Sequence, residues 1–280
     1  MSKGNMEITN AKDSEHFDVL IVGAGISGVA AGVYLNKYCP SEKFLILEAE
    51  ESYGGTWWTH RSPGIRSDSD LHTFGYSFKP WIGPPIATAS EILSYMGDVI
   101  RENRLEKSIR YKHRILRANW CNAEKQWFIE AECLENKELT HFRVNFLWMC
   151  QGYYRHNEGY TPNWDGVSDF KGRIAHPENW PDDLDYKDKK VVVIGSGATA
   201  ATVVPAMASS AKHVTMLQRT PTFFRTGRNA IEIAETLREL NIDETWIHEI
   251  TRRKIMHDQT TFTARCRSEP EEVRLSLIHI

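Results

Sequence analysis

The sequence predicts an α/β chain in which one unit, strand–glycine turn–helix–strand, is built twice. Three observations predict it. Phe17–Val22 and Lys190–Ile194 are short, apolar, β-branched runs. Each runs into a glycine turn, Gly23-Ala24-Gly25-Ile26-Ser27-Gly28 and Gly195-Ser196-Gly197-Ala198-Thr199-Ala200. Each turn opens an apolar stretch that leads to a second short strand, Phe44–Leu47 and His213–Leu217. Buried parallel strands joined through a helix, with glycines at this spacing, make both units Rossmann-like dinucleotide-binding folds. A doubly wound sheet needs more than two parallel strands to cover both faces, so both domains are expected to be incomplete in this chain.

The elements follow in order. After the first strand, Ile26–Tyr38 carries apolar residues at Val29, Ala30, Val33 and Tyr34, and Pro40 stops the helix because proline cannot continue it. Phe44–Leu47 then delivers Glu48. Residues 52–85 are rich in Gly, Pro, Ser and Asp without a clean period. They read as a long ordered loop with short helical pieces, since the aromatics between Trp57 and Trp81 argue against disorder. Ile92–Glu102 reads as a helix. Arg110–Trp120, Gln126–Cys133 and Leu139–Met149 read as strands of a small antiparallel meander. Gly152–Pro181 is turn-rich and reads as a connection. The second unit restarts at Lys190, with a helix at Thr199–Ser209 and one long helix at Asn229–Lys254, spaced on Ile231, Ala234, Leu237 and Leu240. The layout expected is a flexible leader at 1–16, a first nucleotide domain at 17–160, a linker at 161–186 and a second nucleotide domain at 187–280.

The bulk numbers exclude several partners. The chain has 280 residues, 41% hydrophobic and 25% charged, with a formal net charge of -3. That balance suits an ordinary globule and disfavours nucleic acid, whose phosphates need a basic face. The short basic cluster Arg252-Arg253-Lys254 reads as a solvated helix face. No apolar run reaches transmembrane length, which leaves only a peripheral membrane association open. Met1–His16 has no signal-peptide core. The five cysteines are scattered without a Cys-x-x-Cys pair, as in reduced cytoplasmic proteins. The eleven histidines lack metal-ligand spacing, so no metal is expected. Oligomeric state leaves no signature.

The glycines carry the chemistry. Gly23 permits a tight turn, Gly25 lets backbone approach a pyrophosphate, and Gly28 lets helix and strand pack closely, with the helix N-terminus facing the phosphates. Glu48 lies where a carboxylate can accept from a ribose, and it would repel a 2'-phosphate, which favours FAD or NAD over NADP there. Gly54-Gly55-Thr56-Trp57 suits close approach to the rest of a long cofactor. At the second turn Ala200 replaces the last glycine. No acid ends the following strand; Gln218-Arg219-Thr220 stands there, and the arginine fork can pair a 2'-phosphate, which points to NADPH.

Phe170-x-Gly172-x-x-x-His176-x-x-x-Trp180-Pro181 resembles the fingerprint of type I Baeyer–Villiger monooxygenases, and flavin-containing monooxygenases carry a similar motif. Gly54-Gly55-Thr56-Trp57, Pro63-Gly64-Ile65-Arg66-Ser67-Asp68, Gly152-Tyr153-Tyr154 and Leu217-Gln218-Arg219-Thr220-Pro221 are similar to the same group, and within it to the ethionamide-activating type. The likeness runs from about Phe17 to at least Phe224. It implies FAD in the first domain, contacted by Ser27, Glu48, Thr56, Trp57, Trp58, Thr59, Asp68 and Ile115. It implies NADPH in the second, held by Gly195, Ser196, Gly197, Ala198, Thr199, Ala200 and Ala201 with Arg219 and Thr220. Arg66, Ser67 and Asp68 would face the nicotinamide. Catalytic roles would fall to Asp68, Arg66 and His176, the last on a linker that couples NADPH binding to domain closure. The family's catalytic arginine would lie on a segment beyond Ile280. Ser62, Trp58 and Gln151 depart from the pattern and bear on the flavin pocket.

The implied activity is an FAD- and NADPH-dependent monooxygenase. It would place one oxygen atom from O2 into a ketone, the Baeyer–Villiger reaction, or onto a sulfide or thiocarbonyl sulfur. Its partners would be that small molecule and O2. Two other readings stay open. One is a catalytically inactive nucleotide-binding fragment. The other is a pyridine nucleotide-disulfide reductase, which needs a redox-active cysteine pair that the spacing does not supply.

Overall fold

The computed structural model describes residues 14–154, 159–220, 222–224 and 227–279. The leader up to Asp13, Pro221 and Ile280 lie outside them. In chain order the first elements are β1 (Glu15–Val22), α1 (Ile26–Tyr38), β2 (Phe44–Leu47), α2 (Thr56–Thr59), α3 (Leu71–Phe74) and α4 (Ala89–Glu102). Next come β3 (Ile109–Arg110), β4 (His113–Cys121), β5 (Gln126–Cys133) and β6 (Leu139–Met149). Then follow β7 (Lys190–Ile194), α5 (Ala198–Ala208), β8 (His213–Leu217), β9 (Phe223–Phe224), α6 (Glu232–Glu239), α7 (Glu244–Ser268), α8 (Pro270–Leu275) and β10 (Ile278–His279). The fold is α/β. The chain divides into two compact units that do not follow chain order: residues up to Thr59 with Leu93–Tyr154, and His60–Ile92 with the residues after Tyr154.

The first unit holds a six-stranded sheet in the order β3-β2-β1-β6-β5-β4. β1 pairs in parallel with β2 on one side and β6 on the other. A strand flanked on both edges is apolar on both faces, and Leu20 and Ile21 are fully buried. The expected meander is there as β4-β5-β6, and β6 welds it onto the parallel half. Phe17, Leu20, Leu45, Leu47, Ile129, Ala131, Phe142 and Val144 form a buried core cluster on this sheet. Over the strands, α1 fits so closely that a Cβ on Gly32 would lie 3.2 Å from both Ile46 and Leu105. Each such buried side chain stabilises the unit by roughly 1.5–3 kcal/mol before entropy is counted. Glu15 and Arg110 close the far end of the sheet through two hydrogen bonds of 2.7 and 2.9 Å.

The second unit has a two-stranded parallel sheet, β7 with β8, covered on one face by α5. Val192, Ile194 and Leu217, on the alternate face, are exposed. β9 and β10, too short to read from sequence, pair antiparallel. The stretch 60–92 belongs to this unit and meets α7 through α3.

Several boundaries differ from the sequence reading: α4 starts at Ala89 rather than Ile92, and α5 runs Ala198–Ala208 rather than Thr199–Ser209. β1 starts at Glu15, because Glu15 and His16 extend the pairing to Phe142 and Arg143. The strand expected at 110–120 is two strands, since Lys112 takes a left-handed φ of 57° between them. The helix expected at 229–254 is α6 and α7: Asn241 turns the chain at φ 58°, and the Asp243 side chain caps a new helix by accepting from the Thr245 N–H. That helix then runs 25 residues, with i,i+4 pairs Glu249–Arg253 and Arg265–Glu269 on its exposed side. No helix among the described residues is long and apolar enough to cross a membrane.

Candidate nucleotide-binding sites

In the first unit, Gly23 leaves β1 at φ 97°, where an L side chain is strained, and its N–H donates to the Leu47 carbonyl at 2.7 Å. A Cβ there would sit 2.8 Å from the Cys150 carbonyl oxygen. At Gly28 a Cβ would sit 1.8 Å from the Gly23 carbonyl oxygen. These two glycines are required by the protein's own backbone. Gly25 caps α1 with no acidic residue in the first turn, and Ser27 is exposed there. The N–H groups of that first turn carry the positive end of the helix dipole.

Gly54 and Gly55 come from further along the chain to the same turn. The Gly54 N–H donates to the Ala24 carbonyl at 3.0 Å. A Cβ on Gly55 would lie 3.2 Å from the Gly25 Cα. Two glycines therefore face each other with only backbone between them. α2 carries Thr56, Trp57, Trp58 and Thr59, all half-buried, and Thr59 caps back by donating its hydroxyl to the Gly55 carbonyl at 3.1 Å. Ile115 sits at a β-bulge in β4, packed on the core cluster.

Glu48 does more than the sequence suggested. Its side chain is buried, with one oxygen accepting from the Ala24 N–H at 2.7 Å and the other from the Glu50 N–H at 2.8 Å. It braces the glycine turn directly, across 24 residues of sequence. Each carboxylate oxygen has two lone pairs, so acceptor capacity remains for a ribose hydroxyl. Nearby, burial above all, with help from the negative charge of Glu48, pushes the Tyr111 hydroxyl up to about 12. Burial likewise pushes the Cys150 thiol above its ordinary value.

The second unit presents the second turn differently. Gly195 takes φ 121° and its N–H donates to the Leu217 carbonyl at 2.8 Å. A Cβ on Gly195 or Gly197 would meet nothing within 4 Å. Ser196 shares a 2.7 Å hydrogen bond with Thr222, a partner the sequence did not signal, and donates to the Thr220 carbonyl. Gly197, Ala198 and Thr199 are exposed, Ala200 is buried against the sheet, and Ala201 is half-buried. Arg219 and Thr220 are exposed at the end of β8.

Arg66, Ser67 and Asp68 lie in the same unit. The backbone is extended there, with Arg66 bridged to Thr88, so alternate side chains point opposite ways. Ser67 is buried and its hydroxyl accepts from the Ala87 N–H at 3.1 Å. Arg66 and Asp68 are exposed. Gly64, at φ 74°, seats this stretch on α5: a Cβ would lie 2.7 Å from Ala206 and 2.8 Å from the Thr202 carbonyl oxygen. His176 accepts from the Glu178 N–H at 3.3 Å and covers Gly159, where a Cβ would strike its ring at 2.1 Å. Trp180 packs edge-on to Tyr186. All five cysteines are free thiols, and no metal-holding group of His, Cys, Asp and Glu occurs among the described residues.

The protein-family model described as pyridine nucleotide-disulphide oxidoreductase matches residues 17–278. The chain is 47% identical over 263 residues to a probable FAD-binding monooxygenase, AlmA, of Acinetobacter sp, covering 93% of this chain and 52% of that protein. It is 45% identical over 270 residues to the FAD-containing monooxygenase EthA of Mycobacterium tuberculosis, covering 95% and 55%. Among solved structures, an oxidized steroid monooxygenase bound to NADP matches with a TM-score of 0.64 and 29% identity, covering 74% of this chain and 39% of that one. The chain thus spans about half the length of the curated relatives it matches.

Proposed function

The chain belongs to the pyridine nucleotide-disulphide oxidoreductase family, and from that premise we propose that it is the nucleotide-holding part of an FAD- and NADPH-dependent monooxygenase. One observation carries the reading: two glycine turns open two helices, and the space beside Gly25 and Gly55 at the first is bounded by backbone alone, while that beside Gly195 and Gly197 at the second is open. The first turn takes FAD. The N–H groups at the start of α1 receive its pyrophosphate, Gly25 and Gly55 admit it, and the spare lone pairs of Glu48 accept its ribose hydroxyls. Thr56, Trp57, Trp58, Thr59 and Ile115 wall the longer arm of the cofactor. The second turn takes NADPH. Gly195 through Ala201 receive its pyrophosphate, and Arg219 with Thr220 binds the 2'-phosphate. Arg66 and Asp68 face the nicotinamide, while Ser67 serves by fixing the strand that carries them. His176 acts by packing and hydrogen bonding in the connection, not by proton transfer.

When bound, FAD would take hydride from NADPH and pass electrons to O2, so that one oxygen atom enters a small ketone or a sulfide or thiocarbonyl sulfur. The relatives named above support monooxygenase over disulfide chemistry, and five free cysteines fit a reducing, cytoplasmic setting. A second reading, a fragment that binds both nucleotides without turnover, draws support from the chain's half-length match. One experiment tests both. The purified chain is reconstituted with FAD, then given NADPH without oxygen, then O2 with a cyclic ketone or a thioether. Retained yellow colour and its bleaching by NADPH are expected. Oxygenated product separates the two readings; colourless protein after reconstitution contradicts both.

A further inference from the structure

The stretch 60–92 has little structure of its own. It contains α3, four residues long, and one bridge, yet it carries Arg66 and Asp68. Its internal rungs include Ser67 with Ala87, the Leu71 N–H donating to the Pro85 carbonyl and the Ala89 N–H donating to the Ile65 carbonyl. The rest of the second unit grips it at named points. Gly64 lies on α5. Asn229 treats Ile86 as a strand would, accepting from its N–H at 2.8 Å and donating to its carbonyl at 2.9 Å. Arg252 of α7 reaches 180 residues back in sequence and donates to the His72 carbonyl at 2.5 Å and the Thr73 carbonyl at 3.2 Å.

Beneath Arg252 the seam between α3 and α7 is polar and buried. His72 is 2% exposed, His248 6% and Thr251 0%. His72 Nδ1, both ring nitrogens of His248 and the Thr251 hydroxyl have no hydrogen-bond partner within the protein. Burying polar groups without protein partners is unfavourable, so this seam is held at a cost that apolar residues would not carry. We propose that the seam is a positioning clasp for the Arg66–Asp68 stretch: α7 holds it in place while both imidazoles are neutral and lets it go when they are protonated.

Burial of the rings favours that sense, and the charges around them are divided. His72 is faced by Asp70 on its own segment, by Arg238 of α6, and by Glu244 and His248 of α7. His248 is faced by Arg252 and Glu249 on its own helix. A proton on either ring would place a cation in a buried seam beside another histidine and the arginine that makes the clasp. Burial above all holds both rings below the ordinary imidazole value; Arg238 and His248 add to it at His72 and Arg252 at His248, against Asp70, Glu244 and Glu249. From α3 the effect runs to the site. Asp70 caps α3 through the Thr73 N–H at 2.8 Å, and Asp68 lies two residues before it. That Arg66 and Asp68 serve NADPH rests on the function proposed above; the clasp itself does not.

Hydrogen exchange on the 280-residue chain reads the clasp. After correction for intrinsic rates, peptides covering residues 66–75 should lose protection about tenfold between about pH 7.5 and about pH 5.5, while β1 and β6 peptides stay flat. Arg252→Ala should open the same peptides at the higher pH, and Arg252→Lys should restore part of the protection. His248→Leu should flatten the pH response. Should Arg252→Ala unfold the whole unit, the pH series on the unaltered chain decides. Unchanged protection across that series, or an undiminished pH response in His248→Leu, overturns the clasp. NADP+ affinity, read by calorimetry on the same proteins, separates the two claims. Opening without any loss of affinity leaves the clasp standing and removes Arg66 and Asp68 from the nicotinamide site.

Discussion

The two glycine turns share a motif and differ in what surrounds them. At the first, Gly23 and Gly28 are hemmed by the Cys150 and Gly23 carbonyl oxygens, Gly54 is tied to Ala24, and Glu48 braces the loop from below. At the second, Gly195 and Gly197 stand in open space, and alanine already occupies the third position. The same spacing therefore answers two demands. In the first turn it answers to the fold, so that cofactor and packing cannot be pulled apart by substitution there. In the second, Gly195 still answers to its own backbone at φ 121°, while at Gly197 no protein atom within 4 Å demands a glycine. The sheets behind them differ in the same sense, six strands against two.

The largest effect should come from Gly28→Ala. Its Cβ would lie 1.8 Å from a main-chain oxygen, so the turn must move, at a cost of about 3 kcal/mol or more. Denaturant unfolding measures it; a cost under about 1 kcal/mol would erase the contrast. The reciprocal change, Ala200→Gly, should cost only about 1 kcal/mol, the ordinary helix penalty. Next comes Glu48→Ala, which strands the buried Ala24 N–H and frees the Glu50 N–H. About 2–3 kcal/mol should be lost, seen as a lower midpoint for the first unit alone.

Acid should separate the two units. His72 and His248 have folded values below the ordinary 6.5, so the unfolded chain binds protons first. The stability they allow is complete above that value and is lost as pH falls below it, and the loss falls on the second unit. In the first unit the Arg110 guanidinium holds the Glu15 carboxyl below its ordinary 4.5. That contribution persists until more acidic conditions, then fades. It is small, about 0.5–1 kcal/mol, because the Glu15 side chain is 40% exposed. Exchange or fluorescence resolved by unit should show the second unit loosening at the higher pH.

Local pattern was enough for much of this. α1, β2, β5 and β6 lie where periodicity and glycine put them, because each is specified by its own residues. The break at Lys112 was hidden, since lysine in left-handed backbone leaves no compositional mark, whereas Asn241 is of a residue type enriched there and was a signal the apolar spacing overrode. Glu48 was legible as a carboxylate at the right place, but its main-chain partner lies 24 residues off. The attachment of residues 60–92 was invisible for the same reason: Asn229 and Arg252 act across 143 and 180 residues, and Arg252 read as part of a solvated basic face.

Gly197→Ala tests the central claim most directly. At this N-cap the weaker capping of alanine and its reduced unfolded-state freedom oppose each other, each by about 0.5–1 kcal/mol, and no protein atom lies within 4 Å of the added Cβ. The melting temperature should therefore hold while NADP+ binding, followed by calorimetry, falls at least about tenfold, as expected where backbone must approach a pyrophosphate. Unchanged affinity at unchanged stability would contradict the account, because the open turn would then be facing no nucleotide at all.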